Sequence, residues 1–165
     1  MSQDDLRQKT TRLAELLLSK QLHVTAAESC TGGLLAATFT ELPGSSNWFE
    51  YGFVSYANRA KQELLSVPAN ILEQHGAVSE PVVTAMVDGA LSASHADIGV
   101  AISGVAGPDG GTDEKPVGTV WFAWQMKNKP VQSQCCHFSG DRQQVRVQSV
   151  ARAIDGLMTL LLEGS

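Results

Sequence analysis

The sequence predicts one α/β domain over residues 1–165, a three-layer α/β/α sandwich built around a mixed β-sheet. Three observations lead there. Helical and strand patterns alternate through the early part of the chain, which favours parallel strands with helices on both faces. Two later strand patterns are joined only by Lys127-Asn128-Lys129-Pro130, too short for a parallel crossover, so this pair is antiparallel. No internal repeat and no linker-like stretch divides the chain.

Each element follows from local pattern. Leu6, Leu13, Leu16 and Leu17 recur at helical spacing with Lys9, Arg12 and Glu15 between them, so residues 4–20 form an amphipathic helix. Leu22 to Ala27 is a short apolar strand. Gly32-Gly33 break the chain, a helix resumes over Leu34 to Leu42, and Pro43-Gly44 ends it. Trp48 to Tyr56 is aromatic and β-branched, hence a strand. Asn58 caps a helix reaching Ser66, and a second short helix covers Ala69 to Gln74 before Gly76. Ser79 caps, and Pro81 opens, a helix running to Ser94. Ile98 to Ser103 is the most apolar strand, and the glycine-dense stretch Gly104 to Gly111 is a loop. Val117 to Gln125 and Val131 to Phe138 are the hairpin strands. Asp141, with Gln144 as its capping-box partner, starts the last helix, whose buried face is Val145, Val150, Ile154, Leu157, Met158 and Leu161.

Composition narrows the function classes. Hydrophobic residues make up 43% and charged residues 18%, within the range of a globular domain. The net charge of -5 and the lack of a Lys/Arg run argue against nucleic acid as the partner. No stretch approaches the roughly 18 apolar residues of a membrane span, and the polar N-terminus has no apolar signal core. The three cysteines, Cys30, Cys135 and Cys136, are odd in number and lack metal-ligand spacing. Reduced thiols in a cytoplasmic protein are the expectation. The four histidines form no ligand pattern, so no metal is expected.

Four constellations carry candidate chemistry. In Thr25-Ala26-Ala27-Glu28-Ser29-Cys30-Thr31-Gly32-Gly33 a strand runs into a tight turn and then a helix. A nucleophile there stands at the carboxyl end of a strand, near backbone N–H groups able to hold an oxyanion or a phosphate. On spacing alone, a simple helix cap by Ser29 or Thr31 is the favoured reading of the segment. In Val54-Ser55-Tyr56-Ala57-Asn58-Arg59-Ala60-Lys61, Lys61 falls in the first turn of a helix, where the dipole and burial both favour the neutral amine that could take a serine proton. A solvated lysine beside a core-edge tyrosine is the plainer reading. Ser103-Gly104-Val105-Ala106-Gly107-Pro108-Asp109-Gly110-Gly111 can bind an anion through successive N–H groups or be an irregular surface loop. Arg142 and Arg146, one helical turn apart, can clamp a phosphate or be two solvated arginines. Cys30 rivals Ser29 as a nucleophile, yet no histidine stands out as its base, and a small buried side chain explains it better.

The ordered words T-A-A-E-S-C-T-G-G, V-S-Y-A-N-R-A-K, H-G-A-V-S-E-P, S-G-V-A-G-P-D-G-G, K-P-V-G-T-V-W and F-S-G-D-R resemble the CinA C-terminal domain family from about residue 5 to residue 160. The chain is similar to the stand-alone form rather than to longer members with an additional N-terminal domain. The resemblance implies an amidase that converts nicotinamide mononucleotide and water to nicotinic acid mononucleotide and ammonia. It assigns the nucleophile to Ser29, the general base to Lys61 and an assisting hydroxyl to Tyr56. Cys30, Thr31, Gly32, Gly33, Ser103, Gly104, Gly107 and Arg142 are the candidate substrate contacts. It also implies a metal- and cofactor-independent, cytoplasmic homo-oligomer, a dimer or higher. A pyridine-nucleotide-binding regulatory module without catalysis, or an amidase for a different amide, are the alternatives.

Overall fold

The computed structural model describes residues 1–163. It has six α-helices and five strands in the order α1 (Gln3–Lys20), β1 (Val24–Glu28), α2 (Leu34–Thr40), β2 (Phe49–Val54), α3 (Asn58–Leu65), α4 (Ala69–His75), α5 (Glu80–Ser94), β3 (Ile98–Gly104), β4 (Thr119–Met126), β5 (Gln132–His137) and α6 (Arg142–Glu163), with a 3-10 turn at Ser45–Asn47. The sheet order is β2-β1-β3-β4-β5. Strands β1, β2 and β3 are parallel, while β4 is antiparallel to both β3 and β5. The three-layer sandwich with a mixed sheet is therefore the observed fold.

Two apolar clusters hold the layers. Leu13 and Leu17 of α1, Leu35 and Phe39 of α2, and Val145, Val150, Ile154 and Leu157 of α6 pack on one face of the sheet. On the other face, Leu65, Leu72, Val82, Val83, Met86 and Val87 of α3–α5 meet Ala27, Ala101 and Ala123. The small side chains on that face let α5 lie close to the sheet. On α6, Gly156 does the same for Trp124, whose indole occupies the space a Cβ would need and whose Nε1 donates to the Ala153 carbonyl at 3.0 Å.

Most element boundaries fall within two residues of those expected, and the caps differ more. The Asp141–Gln144 capping box is present, with Gln144 N donating to Asp141 Oδ1 at 2.9 Å and Asp141 N to Gln144 Oε1 at 2.8 Å. Asn58 is not a cap: it is the first helical residue of α3, after Ala57. Ser79 does sit at the cap position of α5, but its hydroxyl donates to the Gly76 carbonyl and closes the preceding turn instead.

The topology fixes where a site can form. The chain leaves β1 through α2 to reach β2, then crosses the other face through α3–α5 to reach β3 on the far side of β1. The chain leaving β1 thus turns to one face of the sheet and the chain leaving its neighbour β2 turns to the other, so the two diverge at the carboxyl ends of these strands. A crevice opens at such a switch point.

Candidate active site

Three strand ends converge on that crevice. Ser29 follows β1, Ser55 and Tyr56 follow β2, and Ser103 and Gly104 close β3. The sheet ladder continues one step past the strands: Ser29 N donates to the Ile102 carbonyl at 3.0 Å, and Ser55 N to the Glu28 carbonyl at 2.8 Å. Ser29 is therefore pinned on both sides by main chain before its side chain makes any contact.

Lys61 is the largest charged side chain fully inside the protein, 1% exposed. It sits at the fourth position of α3, and its stem runs back towards the helix start, as helical side chains do. Its Nζ thereby reaches the Ser29 Oγ at 2.9 Å, the Ser55 carbonyl at 2.8 Å and the Tyr56 carbonyl at 3.0 Å. Burial pushes its pKa down from 10.5 to about 8. The hydrogen inventory then matters. A neutral amine has two N–H groups and one lone pair; two carbonyls take the N–H groups and the lone pair is left facing Ser29. The Ser29 hydroxyl has a second acceptor, the Tyr56 carbonyl, only at 3.5 Å, the outer limit of a hydrogen bond.

A cavity of about 190 Å³ opens beside the pair. Ser29, Cys30, Lys61 and Ser103 form its floor, and Tyr56, Gly104 and Arg142 also line it, with Ala77, Val78 and Ala106 as its small apolar walls. Arg142 is at the mouth, donating from one guanidinium nitrogen to the Gly107 carbonyl at 2.7 Å and from another to the Tyr56 hydroxyl at 3.2 Å. The Tyr56 side chain is exposed and its phenol is engaged with Arg142, while its main-chain carbonyl serves Lys61. Cys30 is buried beside Ser29, and burial pushes its thiol up to about 11, far from thiolate character. None of the lining residues is a histidine. The described residues contain no group of three or more His, Cys, Asp or Glu placed to hold a metal ion.

Other expected contacts are divided by the structure. Thr31, Gly32 and Gly33 form the turn but do not line the cavity. Gly32 and Gly33 have φ of 56° and 100°, the left-handed region that suits glycine. Neither Ser29 nor Thr31 caps α2; Gly33 holds the cap position without a side-chain bond. The work of a cap is done by Glu28, which sequence reasoning passed over. Its buried carboxylate accepts from Thr31 Oγ1 at 2.6 Å, Leu35 N at 2.9 Å and Ala36 N at 3.0 Å. The first N–H groups of α2 are thus taken by an internal carboxyl group and are closed to a ligand's phosphate. The two arginines also part company: Arg142 faces the cavity, whereas Arg146 donates to the Thr31 carbonyl at 2.9 Å and braces the turn from α6. A carboxylate ending the short, small-residue strand Val24–Glu28 was the signal for Glu28, since such a group is tolerated inside only when its oxygens are bonded.

A buried lysine against a serine, without histidine or a metal cluster, places this chain in the class of α/β proteins that carry a serine–lysine pair at a strand-end crevice. The comparisons make the class specific. The CinA C-terminal domain profile matches residues 6–161, and the chain belongs to that family. It is 48% identical over 166 residues to nicotinamide-nucleotide amidohydrolase PncC of Escherichia coli K12, covering the whole of both chains. It is 52% identical over 157 residues to the PncC of Pseudomonas putida, which covers 95% of this chain and 98% of that one. A CinA-like protein of Akkermansia muciniphila is 51% identical over 142 residues, but this chain spans only 34% of that protein. Among solved structures, a CinA superfamily protein from Klebsiella pneumoniae superposes with a TM-score of 0.92 at 40% identity, covering 96% of this chain and 98% of that one. The competence/damage inducible protein CihA from Agrobacterium tumefaciens gives 0.92 at 39% identity, with 94% and 95% covered.

Proposed function

We propose that this protein hydrolyses the carboxamide of nicotinamide mononucleotide to give nicotinic acid mononucleotide and ammonia. The observation that carries the reading is the buried Lys61 amine 2.9 Å from Ser29 Oγ, with two carbonyls placed to take its N–H groups. The names of relatives near 50% identity over nearly the full chain supply the substrate.

In this reading neutral Lys61 takes the Ser29 hydroxyl proton as Oγ bonds to the carboxamide carbon. The carbonyl oxygen becomes an oxyanion. Within this turn the Gly32 N–H is taken by the Ser29 carbonyl at 3.0 Å. Of the other N–H groups of the turn, that of Cys30, the residue after Ser29 that lines the cavity, is the candidate for holding the oxyanion, a contact worth about 3–4 kcal/mol where the geometry fits. Collapse breaks the C–N bond, and the Lys61 proton goes to the departing nitrogen, which leaves as ammonia. Water then attacks the Ser29 ester, giving its proton to Lys61; the acyl–Oγ bond breaks, the proton returns to Ser29, and the carboxylate product leaves. The pyridinium of the substrate withdraws electrons and makes the amide more electrophilic.

Arg142 at the cavity mouth is the proposed phosphate partner, with Ser103, Gly104 and Gly107 forming the adjoining wall. Tyr56 assists through both its ends: the carbonyl orients Lys61, and the phenol orients Arg142. No metal or cofactor enters any step, and, as the family resemblance implies, the enzyme works as a cytoplasmic homo-oligomer. No helix among the described residues is long and apolar enough to cross a membrane. The deciding experiment is ammonia release from nicotinamide mononucleotide, with and without chelator, for wild type and Ser29→Ala. Full release by a folded Ser29→Ala variant overturns the nucleophile; release from other amides but not from this one overturns the substrate.

A further inference from the structure

We propose that Glu28 is a positioning residue for catalysis, holding the Ser29–Gly33 turn so that Ser29 Oγ stays against Lys61. The inference rests on the serine–lysine reading above and deepens it. Strand β1 is buried along its whole length, and Glu28, 1% exposed, ends it with a carboxylate. No cation pairs with that carboxylate among the described residues. Its oxygens are satisfied instead by Thr31 Oγ1, Leu35 N and Ala36 N, at positions three, seven and eight residues further along the chain. These bonds span the turn completely, so the turn cannot shift relative to α2 without breaking at least one. The main chain of Glu28 is tied the other way: its carbonyl accepts from Ser55 N at 2.8 Å and from Ser55 Oγ at 3.3 Å. Ser55 in turn supplies a carbonyl to Lys61. Glu28 is therefore bonded both to the turn that presents the serine and to the strand end that orients the lysine.

A displacement of about 1 Å between reacting groups can lower turnover about a hundredfold, so a fault at Glu28 should appear in the rate of Ser29 chemistry and much less in substrate binding. Glu28→Gln keeps the shape but turns one acceptor oxygen into an N–H donor facing another donor. A fluorophosphonate reagent that labels the serine separates positioning from simple loss of fold: the labelled fraction counts competent molecules, and the labelling rate reports how well the nucleophile is held. The expected result is near-complete labelling at a rate about 10–100-fold below wild type, a kcat lowered in parallel, and a KM within about threefold. Labelling at the wild-type rate, with any loss of kcat matching the unlabelled fraction, overturns the proposal. If Glu28→Gln does not fold, Thr31→Val, which deletes only the hydroxyl bond to Glu28, takes its place: slowed labelling supports the proposal and an unchanged rate overturns it. Failure of the parent reading looks different. No label on Ser29 of the wild type overturns the nucleophile assignment and this proposal together, whereas label on Ser29 at equal rates in wild type and variant overturns only the role of Glu28.

Discussion

Two glycine-rich segments leave neighbouring parallel strands at the same edge of the sheet, and they have been put to different uses. The turn Ser29–Gly33 after β1 is short, and three of its side chains, Ser29, Cys30 and Thr31, are buried. It is held by main chain on one side, by Glu28 from within and by Arg146 from α6. The loop after β3 is longer, and residues 108–114 at its tip are exposed. It is fastened to the rest of the fold at its edges: Val105 N donates to the Thr119 carbonyl at 2.9 Å and Gly118 N to the Val105 carbonyl at 2.8 Å, Arg142 reaches Gly107, and Lys115 Nζ reaches the His75 carbonyl at 2.8 Å. Its tip is closed on itself, with Thr112 N donating to the Lys115 carbonyl and Lys115 N to Thr112 Oγ1, each at 3.0 Å. Glycine density therefore does not mark chemistry by itself. What separates the two is how many bonds fix the segment and whether a reactive side chain lies inside it. The first segment is the proposed machinery, and the second is the wall beside it.

The largest effects should come from the first segment. Ser29→Ala should lower kcat by about 10⁴-fold or more, with the melting temperature little changed, because only a hydroxyl is removed. Assay of ammonia release alongside thermal denaturation checks this. An equal loss from any single change at the tip of the β3 loop would break the comparison.

Lys61→Met comes next, and pH gives it a sharper signature. Because Lys61 must be neutral to act as a base, kcat/KM of the wild type should climb about tenfold per pH unit below about 8 and level off above it. The sign for stability follows from the same shift. The unfolded lysine keeps its ordinary pKa of 10.5 and the folded one is lowered to about 8, so between these values the unfolded chain binds more protons and raising pH stabilises the fold. Below about 8 both states carry the proton and this contribution no longer varies. Cys30, whose thiol is raised to about 11 from 9.0, acts oppositely above pH 9. Between pH 8 and 9 the Cys30 contribution is small, so there the change with pH in the melting-temperature difference between wild type and Lys61→Met reports the lysine. A pH–rate profile flat from 6 to 9 would count against Lys61 as the base.

Arg142→Ala tests the contact between the two segments. With the guanidinium gone, the mouth loses its cation and the Gly107 carbonyl loses its donor. KM should rise by about tenfold or more, consistent with a lost charge-assisted contact to phosphate, and kcat should fall less. A nucleoside lacking the phosphate should bind equally to both proteins; an equal loss for that compound would mean that Arg142 shapes the cavity and does not hold the anion.

Sequence pattern carried the layers, the hairpin and the final capping box, because these depend on periodicity and on near neighbours in the chain. It carried less of the site. Ser29 and Lys61 are 32 residues apart, and their pairing depends on two strands becoming neighbours, which spacing does not encode; only the ordered family words put them together. The Tyr56 phenol shows the same limit. The sequence marks a tyrosine near the pair, but whether its ring turns to Ser29 or to Arg142 is decided by α6, which lies far along the chain. Glu28 was legible as a carboxylate in a buried strand, yet its partners lie in the following turn and helix, and Ser29 and Thr31 beside it have the side chains that ordinarily cap a helix.

The smallest effect should come from Lys115, and it tests whether the second segment is only a wall. Its amine strap to the His75 carbonyl joins the β3 loop to the turn after α4, just ahead of Ala77 and Val78, which line the cavity. Lys115→Ala removes one partly exposed hydrogen bond, worth about 0.5–1.5 kcal/mol, from a segment that contributes no reacting atom. The expected outcome is a kcat within about twofold of wild type, a KM raised by no more than about threefold, and faster proteolytic cleavage confined to residues 108–114, since cleavage follows the opening of a locally weak segment. A kcat falling as far as in Arg142→Ala would mean that loop closure, and not the serine–lysine step alone, sets the rate, and the wall would then have to be counted as part of the machinery.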